Sequence, residues 1–124
     1  MKTMKYLVAG LLLAGLSVPA MAQTSQADID AITKVIVDAK GDAIATKDQV
    51  KAFKKTYKKD ATAIAALGRA FLEAKNYQMA EEIANLAIKA NGKSAEGYIL
   101  LGDIASAQDD GGKAAGYYEQ GTYY

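Results

Sequence analysis

The chain has no cysteine, no histidine and no tryptophan, and one proline, in 124 residues. Without cysteine there can be no disulfide, no thiolate nucleophile and no lipid-modified N-terminal cysteine. Without histidine the chain lacks the commonest general base near neutral pH and the commonest metal ligand. Ser-His-Asp and Cys-His catalysis are excluded, and a zinc site would need carboxylates alone. This is poor equipment for an enzyme. No catalytic, metal-ligating or cofactor-binding residue is expected.

The one proline, Pro19, falls in the opening stretch MKTMKYLVAGLLLAGLSVPAMA. Lys2 and Lys5 form a short basic head, Leu7 to Leu16 an apolar core, and Ala20-Met21-Ala22 the small-x-small pattern that a signal peptidase reads. The apolar run is too short to span a bilayer comfortably, and no second one follows. Residues 1–22 therefore read as a cleaved export signal. Its loss removes Lys2 and Lys5 and leaves 13 Lys and Arg against 14 Asp and Glu. A charge so near balance gives no general pull toward nucleic acid or an anionic membrane. An exported domain without disulfides must be held by packing alone. That suits a bacterial periplasm better than a disulfide-stapled secretion, although secretion stays open.

Beyond residue 22, apolar residues recur at helical spacing: Ile29, Ile32, Val35 and Ile36; Val50, Phe53 and Tyr57; Ile64, Leu67, Phe71 and Leu72; Met79, Ile83, Leu86 and Ile88; Tyr98, Leu101, Ile104 and Ala105. Nothing alternates with period two for long enough to make a strand. Short breakers separate the runs at Lys40-Gly41-Asp42, Lys59-Asp60, Lys75-Asn76, Asn91-Gly92 and Asp109-Asp110-Gly111-Gly112. Glycine or asparagine just past a helix end can take the left-handed conformation that stops it. The pattern predicts an all-α chain of about six helices joined by tight turns.

Sliding the chain by 34 residues lays Ala61 on Ala95, Leu67 on Leu101, Gly68 on Gly102 and Ala80 on Ala114. A period of this length, with an adjacent Leu-Gly pair kept, is the mark of a helix-turn-helix repeat. In these residues the chain resembles the tetratricopeptide repeat (TPR) family. Leu67-Gly68 and Phe71 look like its Leu-Gly-x-x-aromatic core, with Ile64 where the family often has tryptophan. Ala80, Ala84 and Ala87 look like its small packing face. The units expected are an N-terminal helix pair over 23–60, a degenerate repeat or cap without the Leu-Gly pair, then a first repeat over 61–94. A second, incomplete repeat follows over 95–124, where Ala105 replaces the aromatic.

The resemblance implies antiparallel helix pairs stacked as a short right-handed α-solenoid, and a protein–protein interaction module whose concave groove receives a peptide or partner protein. Carried over position by position, the groove would present Thr62, Ala65, Arg69, Leu72 and Glu73 from one helix and Glu96, Ile99, Asp103 and Ser106 from the next. The lysine-and-asparagine clamp of chaperone-tail-binding members is not matched, which argues against a C-terminal carboxylate as ligand. Arg69 and Asp103, one repeat apart with opposite charges, are expected either to pair or to orient a ligand of both signs. A structural spacer within a longer envelope protein is the alternative reading.

Other stretches have plainer explanations. Asn91-Gly92-Lys93-Ser94 ends like a phosphate-binding loop, but Ala87 stands where that loop needs its first glycine. It reads instead as the joint between repeats, with Gly92 as a C-cap and Ser94 as an N-cap. Lys51, Lys54, Lys55 and Lys58 share one face of a helix whose other side carries Val50, Phe53 and Tyr57. That face reads as solvated, with an acidic partner, anionic lipid or glycan as the alternative. Asp109-Asp110-Gly111-Gly112 lacks the ligand spacing of a calcium loop and reads as a turn. Tyr117, Tyr118, Tyr123 and Tyr124 should either pack back onto the preceding repeat or await a further one. The ending YYEQGTYY is unlike a polar capping helix, so the chain reads as the N-terminal part of a longer repeat protein.

The export reading has a direct check. Mass spectrometry of the exported product should give a chain beginning at Gln23, and a product retaining Met1 would defeat it.

Overall fold

The structure, a computed structural model, describes residues 21–124, and side chains from residue 25 onward. The signal segment expected over 1–22 lies outside the described residues except at its last two positions. Six helices follow in order: α1 (Met21–Asp38), α2 (Lys47–Thr56), α3 (Ala61–Glu73), α4 (Tyr77–Ala90), α5 (Ala95–Ala107) and α6 (Gly111–Tyr123). There is no strand among the described residues. Among the described residues the expected all-α character and six helices are what form.

Each helix from α3 onward starts on a side-chain cap. Asp60, Asn76, Ser94 and Asp110 accept the backbone N–H groups of Ala63, Met79, Gly97 and Lys113 at 3.0–3.1 Å. Each occupies one of the donors left over in the first turn. The stops are chemically less uniform. Lys40, Lys75 and Asp109 all have positive φ, and the N–H that follows each reaches back five residues, from Gly41 to Ile36, Asn76 to Phe71 and Asp110 to Ala105. The turns are the αL helix ends expected at these places, but lysine or aspartate takes the strained position, at Lys40, Lys75 and Asp109. Asn76 and Asp110 are instead free to cap the next helix.

Gly92 departs from expectation. Helix α4 ends at Asn91 in an extended conformation, and Gly92 is not in the left-handed region. Asn91 makes the joint instead: its side chain accepts Lys93 N–H at 3.0 Å and its carbonyl accepts Ser94 N–H at 2.9 Å. Ser94 is the N-cap that the sequence suggested.

The turns show a regularity that the 34-residue comparison misses. Lys75 and Asp109 are 34 residues apart, but Lys40 precedes Lys75 by 35. On that spacing Ile32 corresponds to Leu67 and Leu101, and Ile36 to Phe71 and Ala105, all of them buried. Thr33 then stands where the later helices have Gly68 and Gly102.

Helix α3 packs along α4, and α5 along α6; α4 also meets α5, and α3 lies between α1 and α5. The main contact of α2 is with α1. Direction follows from which residues meet. Gly121 approaches Ile99 while Gly102 approaches Tyr118, so α5 and α6 run antiparallel. Thr62 bonds Glu96 while Arg69 bonds Asp103, so α3 and α5 run parallel. Phe53, Phe71, Ile32, Ile36, Leu67, Ile83, Leu100 and Ile104 are fully buried in one continuous core.

Close approach sets what that core can contain. Ala80, Ala84 and Ala87 are fully buried on α4. A Cβ on Gly68 would lie 2.7 Å from Leu100 and 3.2 Å from Ile83, so this glycine admits side chains from both α4 and α5. A Cβ on Gly102 would lie 2.5 Å from the Tyr118 ring.

The first pair is joined differently. The Tyr57 hydroxyl donates to Asp28 Oδ2 across α1 and the end of α2, and Asp28 is 2% exposed with Oδ1 buried and unpartnered. Burial and the bond to Asp28 both push the Tyr57 phenol up.

Gly102→Ala should lower stability by about 1–3 kcal/mol, because the Tyr118 ring must move. Gly92→Ala, with open space around it and ordinary φ, should be neutral or raise stability by up to about 1 kcal/mol. Urea unfolding followed by circular dichroism compares them, and equal effects at the two sites would contradict the packing described.

Candidate functional site

Helices α3 and α5 lie side by side, and their shared outer face carries most of the residues expected to meet a partner. Thr62, Arg69 and Glu73 are exposed on α3, as are Glu96, Ile99 and Ser106 on α5; Leu72 and Asp103 are half-buried. Ala65 differs. It is only 5% exposed, with its methyl in the core, so at this place the face presents little side chain to a partner. Leu72 too has part of its side chain against the core.

Two hydrogen bonds tie the helices at a separation of 34 residues. Thr62 Oγ1 donates to Glu96 Oε2 at 2.6 Å, and Arg69 Nη1 donates to Asp103 Oδ2 at 2.8 Å. Of the two outcomes expected for Arg69 and Asp103, pairing is the one seen. Both side chains are substantially exposed, so the ion pair contributes about 0.2–1 kcal/mol and fixes orientation more than stability.

A third residue joins them that sequence reasoning read only as part of an aromatic cluster. The Tyr118 hydroxyl, from α6, donates to the other oxygen of Asp103 at 2.5 Å. Its ring lies against Gly102, one residue earlier on the same helix. The available signal was the bare glycine followed sixteen residues later by a tyrosine on the returning helix. Asp103 thus accepts from both sides, from the guanidinium on α3 and the phenol on α6. The bond to Asp103, then burial, then the carboxylate's charge raise the Tyr118 pKa, with Arg69 working the other way.

The other C-terminal tyrosines differ in how far they pack back onto the chain. Tyr117 packs against the core, and Tyr124 stacks on Tyr98 with ring centroids 5.6 Å apart. Tyr123 touches Tyr124 edge-on at 5.2 Å and is otherwise in solvent.

The Gly-Lys-Ser stretch contributes nothing to this face. Ser94 Oγ is buried and engaged as a cap, and Lys93 is exposed on the joint. Asp109 and Asp110 form the α5–α6 turn as described, and Glu81 approaches Lys113 at 3.9 Å. Helix α2 stops at Thr56, so Lys58 and Lys59 stand just beyond it.

No model of a known protein family matches the chain, and no curated protein matches it either.

The raised Tyr118 pKa has a signed consequence. The neutral phenol is the form held in the folded chain, so its contribution is full below the unfolded value near 10 and is lost as pH rises through the folded value. In a spectrophotometric titration the last phenols to ionise should become fewer in Tyr118→Phe. The variant should also lose less stability than the parent between pH 9 and pH 11. An unchanged titration curve would mean that the bond to Asp103 does not form in solution.

Proposed function

We propose that the chain is an exported, non-catalytic interaction module of TPR type that binds a peptide or partner protein across the face shared by α3 and α5. The observation that carries the reading is the in-register pairing of Thr62 with Glu96 and of Arg69 with Asp103. Parallel helices related by a constant step are what a stacked repeat provides, and such stacking makes an extended surface for ligands. The caps at Asp60 and Ser94, and at Asn76 and Asp110, recur at the same step. In this reading α1 and α2 form the N-terminal pair, and the stack is a short right-handed solenoid.

The face also indicates what it would take. Glu73, Glu96 and Asp103 outnumber Arg69, and Ile99 with the exposed part of Leu72 supplies apolar surface between them. A segment carrying basic residues beside an aliphatic or aromatic anchor complements that pattern. With Arg69 held by Asp103, a ligand carboxylate would have to displace an existing partner.

Affinity chromatography of an envelope extract on the immobilised chain, followed by calorimetry on the retained protein, tests the proposal. Glu73→Lys should weaken binding by about 1–3 kcal/mol, since it sets a cation against the basic residues of the ligand, whereas Arg69→Glu, which adds a carboxylate to the face, should not weaken it. Lys93→Ala should leave binding unchanged. Loss of binding in the Lys93 variant alone would refute the assignment of the face. If nothing is retained, the spacer reading takes its place.

A further inference from the structure

The most strongly charged surface of the molecule is not the α3–α5 face. Seven lysines stand between residues 40 and 59 against two aspartates, Asp42 and Asp48. Asp42 Oδ1 is already occupied by the N–H groups of Ile44 and Ala45. Ion pairs elsewhere on the described surface join Lys34 to Asp38, Arg69 to Asp103 and Lys113 to Glu81. Thr46, Val50 and Phe53 anchor one side of this segment in the interior, and Tyr57 ties its end to Asp28. Lys51, Lys55 and Lys58 are left in solvent on the opposite side.

At the head of that side stands Ile44. It is 87% exposed, the most exposed large apolar side chain among the described residues. The chain already turns helically here, since Thr46 N–H bonds the Asp42 carbonyl and Val50 N–H bonds that of Thr46. Lys51 and Lys55 lie one turn apart on the outer side of α2, with Ile44 in the turn that precedes the helix and Lys58 in the turn that follows it. The surface is therefore an aliphatic tip followed by a row of cations on a helix held from behind.

We infer that α2 and the turn before it dock on an anionic lipid bilayer, with Ile44 entering below the headgroups and Lys51, Lys55 and Lys58 meeting lipid phosphates. Lysines alone would serve a soluble polyanion or an acidic protein equally well. Ile44 separates these cases, because only a bilayer offers hydrocarbon directly beneath a sheet of anions. Lysine stems can lie along that boundary with their ammonium groups among the phosphates. No described helix is long and apolar enough to cross a membrane, so the contact argued here is a surface one. Helix α2 makes its main contact with α1 and none of the ties across α3 and α5, so docking would leave the peptide-binding face open. The inference does not depend on that face having a ligand.

The test uses the protein as recovered from expressing cells, with masses recorded so that parent and variants begin at the same residue. Flotation with phosphatidylcholine vesicles, and with vesicles containing phosphatidylglycerol, measures partitioning. The parent should bind the anionic vesicles more tightly, and more weakly as salt rises. Each lysine near such a surface is worth about fivefold, so Lys51→Gln/Lys55→Gln/Lys58→Gln should lower partitioning by about two orders of magnitude. Ile44→Ser should lower it by about tenfold, and should leave binding to dextran sulfate, a soluble polyanion, unchanged. Ile44→Trp, in a chain with no other tryptophan, should show a blue-shifted emission on anionic vesicles alone. Circular dichroism confirms the fold of each variant. Equal partitioning of parent and Ile44→Ser, or no preference for anionic vesicles, would overturn the inference. In the first case the lysine row would be a site for an acidic polymer.

Discussion

From α3 to α6 the helices share a core where one of them offers its neighbour little more than backbone. Gly68 admits Leu100 from α5 and Ile83 from α4, Gly102 admits the Tyr118 ring, and Gly121 lies under Ile99. The alanines of α4 do the same with a single methyl each. With no disulfide and only two phenylalanines, the fold has few large side chains to spread over six helices. Close approach compensates, because dispersion contacts accumulate steeply as backbones near one another. The ties between α3 and α5 depend on this spacing. Leu100 can sit over Gly68 only if the two helices are near enough for Arg69 to reach Asp103.

The polar ties have a different role from the apolar core. Asp103 accepts from α3 on one oxygen and from α6 on the other, so one half-buried carboxylate relates three helices. Such bonds are individually modest in water. Their value lies in geometry: they set rotation and register between helices whose apolar stripes alone would tolerate some sliding. At the other end of the molecule the buried Asp28 and Tyr57 relate α1 to α2 in a comparable way, although one oxygen of Asp28 there lacks a partner.

Much of this was legible in the sequence for physical reasons. Helical periodicity and capping chemistry act locally, so the all-α character, the breaks between helices and the cap at Ser94 could be read directly. The Arg69–Asp103 pair was visible because two residues one repeat apart must face each other if the helices are parallel and in register. Gly92 misled because composition marks glycine as a stop, whereas Asn91 can close the same turn with its own side chain. The αL positions at Lys40 and Lys75 carry no compositional signal, since lysine is chosen against there by strain and not marked by it. The relation of α1 to α3 and α5 was hidden by one added residue: a comparison at 34 sets Ile32 against Ala66, and only a step of 35 restores Leu67. Tyr118 was missed because its partner is reached through the fold. Burial of Ala65 likewise follows from how closely α3 is packed and could not be read from its position in the repeat.

One bond joins two turns that are far apart in sequence: the Asn76 side chain donates to the Gly41 carbonyl at 2.7 Å, while the space a Cβ on Gly41 would fill is bounded by Ala74 and Asn76. The bend after α1 is thereby seated on the bend after α3. A stack of helix pairs ordinarily frays from its ends, one unit at a time, because each unit answers only to its neighbour. Here α1 is fastened at the bend that follows it as well as along its length. Opening α1 must strip the bend between α3 and α4 of an acceptor and a packing surface together. Native-state exchange should therefore show α1 and the α3–α4 bend opening together.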